Sequence, residues 1–435
     1  MKTIIFSALF GMDHRSERLR FLTDVYRAFP EPVRFVAFNT SGVVKAEFDV
    51  VNATARLKSS IDNPVAYLES WLTGHFPDKV KLFMDHVVGE FGKRRKSFDG
   101  SISKIILMLQ EFEGALASYQ PDYVYLWNQF NAFHRILAEL LKKRGIPFGF
   151  FHDGVLPGSI ALDVDGEMGE SWIARDPKRF MKIKVSAEDV ARATEFLAGL
   201  RGDQVNRHPQ VEQISVKQAL VHRKLHKRPV VFFAGQNDWH AGIKPRSPDR
   251  AFHSHLFAGS AEAVQELDRI ASTLGVTILF KPHPLSKDRY MFLRSEELSN
   301  TLILSSTSMQ ACLKASDVVS TIASQTSYVA LLEDRPVMML GKNQVNGKGL
   351  TYDVDSLDDI AGMIELSISD PLKQGRKAAF ARHVAQLERS YLFSYTSIGE
   401  DYYRRGPKAA ARYMSLSMSM PTKDVIDMQA SGQII

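Results

Sequence analysis

Val276-Thr277-Ile278-Leu279-Phe280-Lys281-Pro282-His283-Pro284 joins an apolar run to a stiff, basic one. Residues 276–280 are β-branched, aliphatic or aromatic with no polar alternation, the pattern of a strand buried on both faces of a parallel sheet. Pro282 and Pro284 can neither continue a ladder nor sit inside a helix, so the backbone must leave the sheet as a stiff loop. Lys281 and His283 then stand at the carboxyl end of a strand, the edge where open α/β sheets bind ligands. An ammonium and an imidazole N–H suit a phosphate. The plainer reading is a surface lysine and a turn-capping histidine.

Around this stretch the chain repeats one rhythm. Strand patterns at 230–234, 276–280, 301–304, 318–321 and 337–340 alternate with helical patterns at 258–274, 308–315 and 325–332. Earlier, strands are expected at 3–8, 33–38, 123–127 and 148–151. Helices are expected at 15–29, 61–73, 80–91, 102–119 and 133–144, the last stopped by Gly145. Strand–helix–strand repetition predicts parallel sheets covered by helices on both faces. The expected fold is therefore α/β with two Rossmann-like domains. We place an N-terminal domain at 1–200, a polar, basic linker at 201–228, a C-terminal nucleotide-binding domain at 229–370, and C-terminal helices with a Met- and Ser-rich tail at 371–435.

Composition narrows the class. A chain of 435 residues, 45% hydrophobic, is long enough for two ordinary cores. The one cysteine, Cys312, excludes a disulfide framework and a multi-cysteine zinc site, and fits a reducing cytoplasm. The apolar run at the N-terminus is too short for a span or a signal peptide core. The net charge of +6 is clustered at Lys93-Arg94-Arg95-Lys96, Lys142-Lys143-Arg144, residues 222–228 and Arg404-Arg405. Such clusters suit solvated helix ends or peripheral docking on an anionic membrane surface. Neither zinc-finger spacing nor an aromatic RNA-binding signature is present, so nucleic acid is not an expected partner.

Three loops carry candidate chemistry. Phe151-His152-Asp153-Gly154 places an imidazole beside a carboxylate, with Gly154 and Gly158 allowing tight turning. Such a pair serves as nucleophile with an acid/base partner, or as an ordinary Asp-Gly turn. After strand 230–234, Gln236 and Asp238 offer amide and carboxylate groups to sugar hydroxyls or a nucleobase. Ser324, Gln325 and their hydroxyl-rich neighbours end a strand and open a helix, where free N–H groups favour phosphate. Capping alone would also explain them. With Lys281 and His283 they make a nucleotide-phosphate site the better reading. The nearest Asp-x-Asp is Asp163-Val164-Asp165, and neither a metal nor a cofactor is expected.

Residues 150–160 with Asp163 and Gly166, then Gln236 and Asp238, then 280–284, then Ser324 through Ala330-Leu331-Leu332 to Arg335-Pro336-Val337, together resemble the capsular polysaccharide synthesis family that contains β-Kdo transferases. The resemblance spans about 123–341 and implies the two-domain GT-B architecture, with the domains facing a cleft. It implies a transferase moving a Kdo-like sugar from a CMP-activated donor to a lipid- or glycan-linked acceptor, with capsule-assembly proteins as partners. Asp153 would then be the essential acidic residue, with His152 as its acid/base partner. Lys281, His283, Ser324 and Gln325 would hold the phosphate, and Gly154, Gln236 and Asp238 would line the donor site. Two positions depart from the family pattern: His152 stands where a glutamate is usual, and Val329 likewise. Two alternatives stay open, a glycerophosphate or phosphosugar transferase of a surface polymer and a non-catalytic capsule export or scaffold protein.

Overall fold

The computed structural model describes all residues except 9–16, 41, 54–60, 92–97, 203–214, 246–252, 285, 287–292, 294–296, 397, 400 and 435. The basic run Lys93-Arg94-Arg95-Lys96 and positions 203–214 of the expected linker thus lie outside the described residues. The chain divides into two compact units, one formed by Met1–Glu167 with Leu387–Ile435, the other by Met168–Gln386. Residues 168–200, expected with the first domain, therefore pack with the second, and the chain returns to the first at its end.

In the first unit, β1 (Lys2–Ala8), β2 (Val33–Asn39), β3 (Asp49–Asn52), β4 (Tyr123–Trp127), β5 (Phe148–Asp153) and β6 (Ser159–Asp163) lie in the order β6-β5-β4-β1-β2-β3. This is the Rossmann order, reversing between β1 and β4. Only the β5–β6 pair is antiparallel among these strands. Alternation along β1 shows why both faces need cover. Ile4 and Phe6 join one core with Phe35, Tyr125 and Phe151, while Ile5 joins the opposite core with Val36, Val124 and Phe150. Helices Pro64–His75, Val80–Phe91, Phe98–Tyr119 and Ala132–Arg144 cover the second face. Gly145, at φ +67°, ends the last of these as its sequence position predicted.

The second unit repeats the plan. β7 (Val230–Ala234), β8 (Thr277–Lys281), β9 (Thr301–Ile303), β10 (Val318–Thr321), β11 (Val337–Met339) and β12 (Tyr352–Asp353) are ordered β12-β11-β10-β7-β8-β9, all parallel. The strand expected at 276–280 is β8, one residue later, so Lys281 is its last member. The fold class is the expected one: α/β, two Rossmann-like units and C-terminal helices.

β13 (Leu392–Ser394) then adds antiparallel to β6. Helices Pro407–Ser417 and Thr422–Ala430 bring Tyr413, Met414 and Val425 onto the face of the first sheet already lined by helix Glu17–Arg27. The Met-rich tail is thus a core layer. Arg405 belongs to it: it is 1% exposed, lies over the Phe393 ring and donates to the Ile434 carbonyl at 3.0 Å. The surface cluster expected at Arg404-Arg405 is corrected to Arg404 alone, because Arg405 turns into the core. No helix among the described residues is long and apolar enough to cross a membrane.

Candidate active site

Each unit carries one polar constellation at the carboxyl edge of its sheet. In the second unit the strand order reverses between β7 and β10, where the loops diverge and leave a crevice. Gln236 follows β7 and bridges this point, its Oε1 accepting from the Ala323 N–H at 2.9 Å. Thr321 Oγ1 donates to the Ala234 carbonyl at 3.0 Å beneath it. The Asp238 carboxylate accepts from Ser260 N–H at 3.0 Å and Ser260 Oγ at 2.7 Å, at the start of helix Ser260–Leu274. The N-cap of that helix is Gly259, which has no side chain to offer, so Asp238 supplies the missing acceptor. Gln236 Oε1 and the Asp238 carboxylate are therefore bonded to the scaffold, and help fix the two loops relative to each other.

Lys281 ends β8 and is 4% exposed. Among the described residues its ammonium has neither a hydrogen bond nor an ion pair. Burial lowers its pKa, opposed by the nearby Cys312 thiol. Gly235 lets the neighbouring loop come this close: its N–H donates to the Lys281 carbonyl at 2.9 Å, and a Cβ there would press on Phe280 at 2.9 Å. His283 is half-buried, and its carbonyl accepts from Ser286 N–H at 2.9 Å, which closes the proline-flanked loop.

On the other side of β7, Ser324 Oγ accepts from the Thr326 N–H at 3.2 Å, and Gln325 is the N-cap of helix Thr326–Leu332 without a side-chain cap of its own. Asn343, fully buried after β11, donates through Nδ2 to Ser324 O at 3.3 Å and Ser327 Oγ at 3.1 Å. Lys348 lies further along the same loop, between Gly347 and Gly349 at φ +71° and +68°. Its Nζ donates to Ile173 O at 2.9 Å and Asn346 O at 3.2 Å, and burial pulls its pKa down to about 7 against the attraction of Asp353. The sequence reading overlooked both residues. The only cue was a glycine-flanked, asparagine-rich segment following a strand.

In the first unit, His152 and Asp153 were expected in a loop and instead close β5. His152 Nδ1–H donates to the Asp153 carbonyl at 2.9 Å, leaving the basic lone pair on Nε2, which faces the Tyr391 hydroxyl at 3.5 Å. Gly154 donates its N–H to Ser159 O at 2.9 Å, and any Cβ there would collide with Ser159 Oγ. The Asp153 carboxylate is not alone. Arg18, from the helix after β1, lies 3.5 Å from the centroid of the Trp127 ring at the end of β4 and bonds Tyr395, with Asp153 close enough to act on its charge. Nothing in the sequence around Arg18 marks it.

Two further groups are structural. Asp163 Oδ1 accepts from Asp165 N–H at 2.8 Å and Gly166 N–H at 3.3 Å, the turn that ends β6. Ser7, His134 and Asn131 form a buried string, with Ser7 Oγ 2.8 Å from His134 Nε2 and Asn131 Nδ2 2.9 Å from His134 Nδ1. Because Asn131 donates to Nδ1, Nε2 carries the hydrogen and gives it to Ser7, which also accepts from Trp127 N–H at 3.1 Å. Burial holds this imidazole neutral, with a pKa of about 3. A histidine that donates to the serine cannot serve as its base.

Residues 211–361 match the family described as "Capsule polysaccharide biosynthesis protein". That segment contains Gln236, Asp238, Lys281, His283, Ser324, Gln325, Asn343 and Lys348, while His152 and Asp153 precede it. Among solved structures the chain is similar to KpsC, beta Kdo 2,7 transferase, from Thermosulfurimonas dismutans at 17% identity, over 60% of this chain and 79% of that one, with a TM-score of 0.39. The beta Kdo 2,4 transferase of the same organism gives 16%, 60%, 78% and 0.40. A UDP-GlcNAc 2-epimerase from Methanocaldococcus jannaschii gives 11%, 88%, 99% and 0.36. No curated protein matches the chain.

Proposed function

We propose, from a chain that carries the capsule polysaccharide biosynthesis domain over residues 211–361, that this protein is a glycosyltransferase moving a Kdo-like sugar from a CMP-activated donor to a lipid- or glycan-linked acceptor. The observation that carries the reading is Lys281. A lysine that is 4% exposed and has no carboxylate partner among the described residues, one strand from a topological switch point, suits a phosphate. His283 and the turn at Ser324 and Gln325 supply further donors. Gln236, Asp238 and Asn343 keep those loops in place.

In this reading Asp153 is the reacting carboxylate. An Asp153 oxygen bonds to the anomeric carbon as the bond from that carbon to the phosphate oxygen breaks, and the electron pair leaves on CMP. Lys281 stabilises the charge gained by that oxygen. The acceptor hydroxyl then displaces the carboxylate, and its proton passes to the Nε2 lone pair of His152. The acceptor carrier, capsule-assembly partners and docking of Lys142-Lys143-Arg144 on an anionic membrane face belong to the same proposal.

The test is binding and turnover of CMP-Kdo by the purified protein, beside CMP, CMP-sialic acid, CDP-glycerol and UDP-sugars. Selective CMP-Kdo turnover that falls at least a thousandfold in Asp153→Asn, with donor affinity kept, is the expected result. Selective use of CDP-glycerol would replace the transferred group. Absence of binding to every nucleotide would overturn the reading.

A further inference from the structure

Lys348 stands at one end of a chain of bonds that runs along the carboxyl edge of the second sheet. Helix Trp172–Arg175 is followed by Pro177, so the Ile173 carbonyl has no N–H four residues on to accept from. Lys348 Nζ supplies that donor at 2.9 Å and also reaches Asn346 O at 3.2 Å. The ammonium lies over the Phe180 ring, 5.2 Å from its centroid. Gly347 brings its backbone against Pro177, where a Cβ would come within 2.9 Å of the proline ring. The loop after β11 is therefore pinned to residues 173–180 at two successive positions. Asn346 carries the connection on: its Oδ1 accepts from Asn343 N–H at 2.7 Å, and its Nδ2 donates to Gly341 O at 3.1 Å and Asp353 Oδ1 at 2.9 Å. Asn343 Nδ2 then donates to Ser324 O at 3.3 Å and Ala323 O at 3.4 Å. Ala323 N–H in turn bonds Gln236. The loops after β7, β10 and β11 thus meet at Ala323, and the last of them is anchored by one buried ammonium.

We infer that Lys348 is the positioning residue of this edge, holding the β10 loop in its nucleotide-binding geometry through Asn346 and Asn343. This rests on the proposed nucleotide reading of Lys281 and Ser324. Lys348 acts at one remove, since both its hydrogen bonds end on main-chain carbonyls. Its charge matters to them, because an ammonium donates more strongly than a neutral amine. Burial brings its pKa to about 7, so the charge is lost as pH rises through neutrality. Among the described residues, the groups acting on it are Asp353, which favours the ammonium, and His383 of helix Lys373–Ser390, which burial keeps neutral. Asp355 acts on Asp353, and the Tyr328 hydroxyl lies 3.1 Å from His383 Nε2. The loop is therefore held most firmly on the acid side of neutrality.

Three measurements on the full chain use Lys348→Met, which keeps an unbranched stem and removes the ammonium. Hydrogen exchange without nucleotide should quicken in residues 321–327 and 341–347, and stay as in the parent in 277–283. CMP affinity should fall about tenfold at roughly pH 6, and the gap between parent and variant should narrow as pH rises to about 8.5. Taking the ratio at each pH cancels the titration of the CMP phosphate. With Asn343→Ala already present, Lys348→Met should weaken CMP binding no further. Unchanged exchange overturns the inference, and so does a CMP gap that is equal at every pH. Faster exchange throughout the second unit with a lowered melting temperature also overturns it, making Lys348 a plain core residue. If the parent binds no nucleotide while exchange quickens only in 321–327 and 341–347, the hold of Lys348 on the β10 loop stands and the nucleotide reading alone falls.

Discussion

A lysine that is 4% exposed and has no carboxylate partner among the described residues is a liability to the unliganded fold. Replacing it should therefore separate stability from binding. Lys281→Met is expected to leave the melting temperature of the unliganded protein unchanged or raised, while weakening CMP binding roughly thirtyfold, the worth of about 2 kcal/mol for a charge-assisted contact. Calorimetric titration beside a thermal melt checks both halves. A drop in melting temperature with unchanged CMP affinity would make Lys281 a structural residue. Lys281 was legible in the sequence because two prolines mark where its strand ends. Arg18, Asn343 and Lys348 were not, because their roles depend on partners distant in the chain. Lys348 bonds a carbonyl 175 positions away, and no local pattern encodes that. Gln236 and Asp238 were legible as polar groups after a strand, while the bonds of Gln236 Oε1 and the Asp238 carboxylate to the scaffold were not.

The β5–β6 hairpin is the element on which the Asp153 assignment stands, and two glycines shape it. Gly158 adopts φ +74°, and a Cβ there would strike the Ile398 carbonyl oxygen. That carbonyl is backbone and cannot swing aside, while Gly158 O itself accepts from Tyr395 N–H at 2.9 Å. Gly158→Ala should cost roughly 3 kcal/mol through strain and displacement of the Tyr395 segment. Gly199→Ala is the contrast: a Cβ there meets nothing within 4 Å, and helix Ala187–Gly202 should gain about 0.5–1 kcal/mol. Urea unfolding of both variants is the check, and equal stabilities would contradict the steric account. At this scale the long apolar runs were read well, because burial on both faces leaves an unambiguous pattern. Of the strands missed, β3, β12 and β13 are edge strands, while β6 lies between β5 and β13 in antiparallel pairs where the α/β rhythm led us to expect parallel ones. Edge residues satisfy one neighbouring strand, so short runs with mixed polarity suffice there. Missing β6 is why His152 and Asp153 were placed in a loop.

Across the whole molecule, the tail was the least legible part. Methionines at 414, 418, 420 and 428 gave no period that a single helix would explain, since their partner is a sheet face built from the other end of the chain. Helices Pro407–Ser417 and Thr422–Ala430 are what keep Arg405 dry, and burial lowers its pKa to about 10. Removing residues 421–435 should let water reach that guanidinium and lower the melting of the first unit by roughly 5–10 °C. Hydrogen exchange should then quicken in β4, β5 and β6 while β7, β8 and β10 keep their protection. Uniform exchange in both units would mean that the tail does not belong to the first core.

The second unit is one continuous stretch, Met168–Gln386, set inside a first unit whose parts come from both ends of the chain. Time enters here. On the ribosome the second unit has every strand it needs before Leu392 is made, whereas the first has only helix Glu17–Arg27 over part of one face of its sheet until Met414 and Val425 emerge to complete that layer. The half that is begun first is finished last, and for most of translation the core around Ile4, Phe6 and Phe35 is closed by helix Glu17–Arg27 without its second, C-terminal layer.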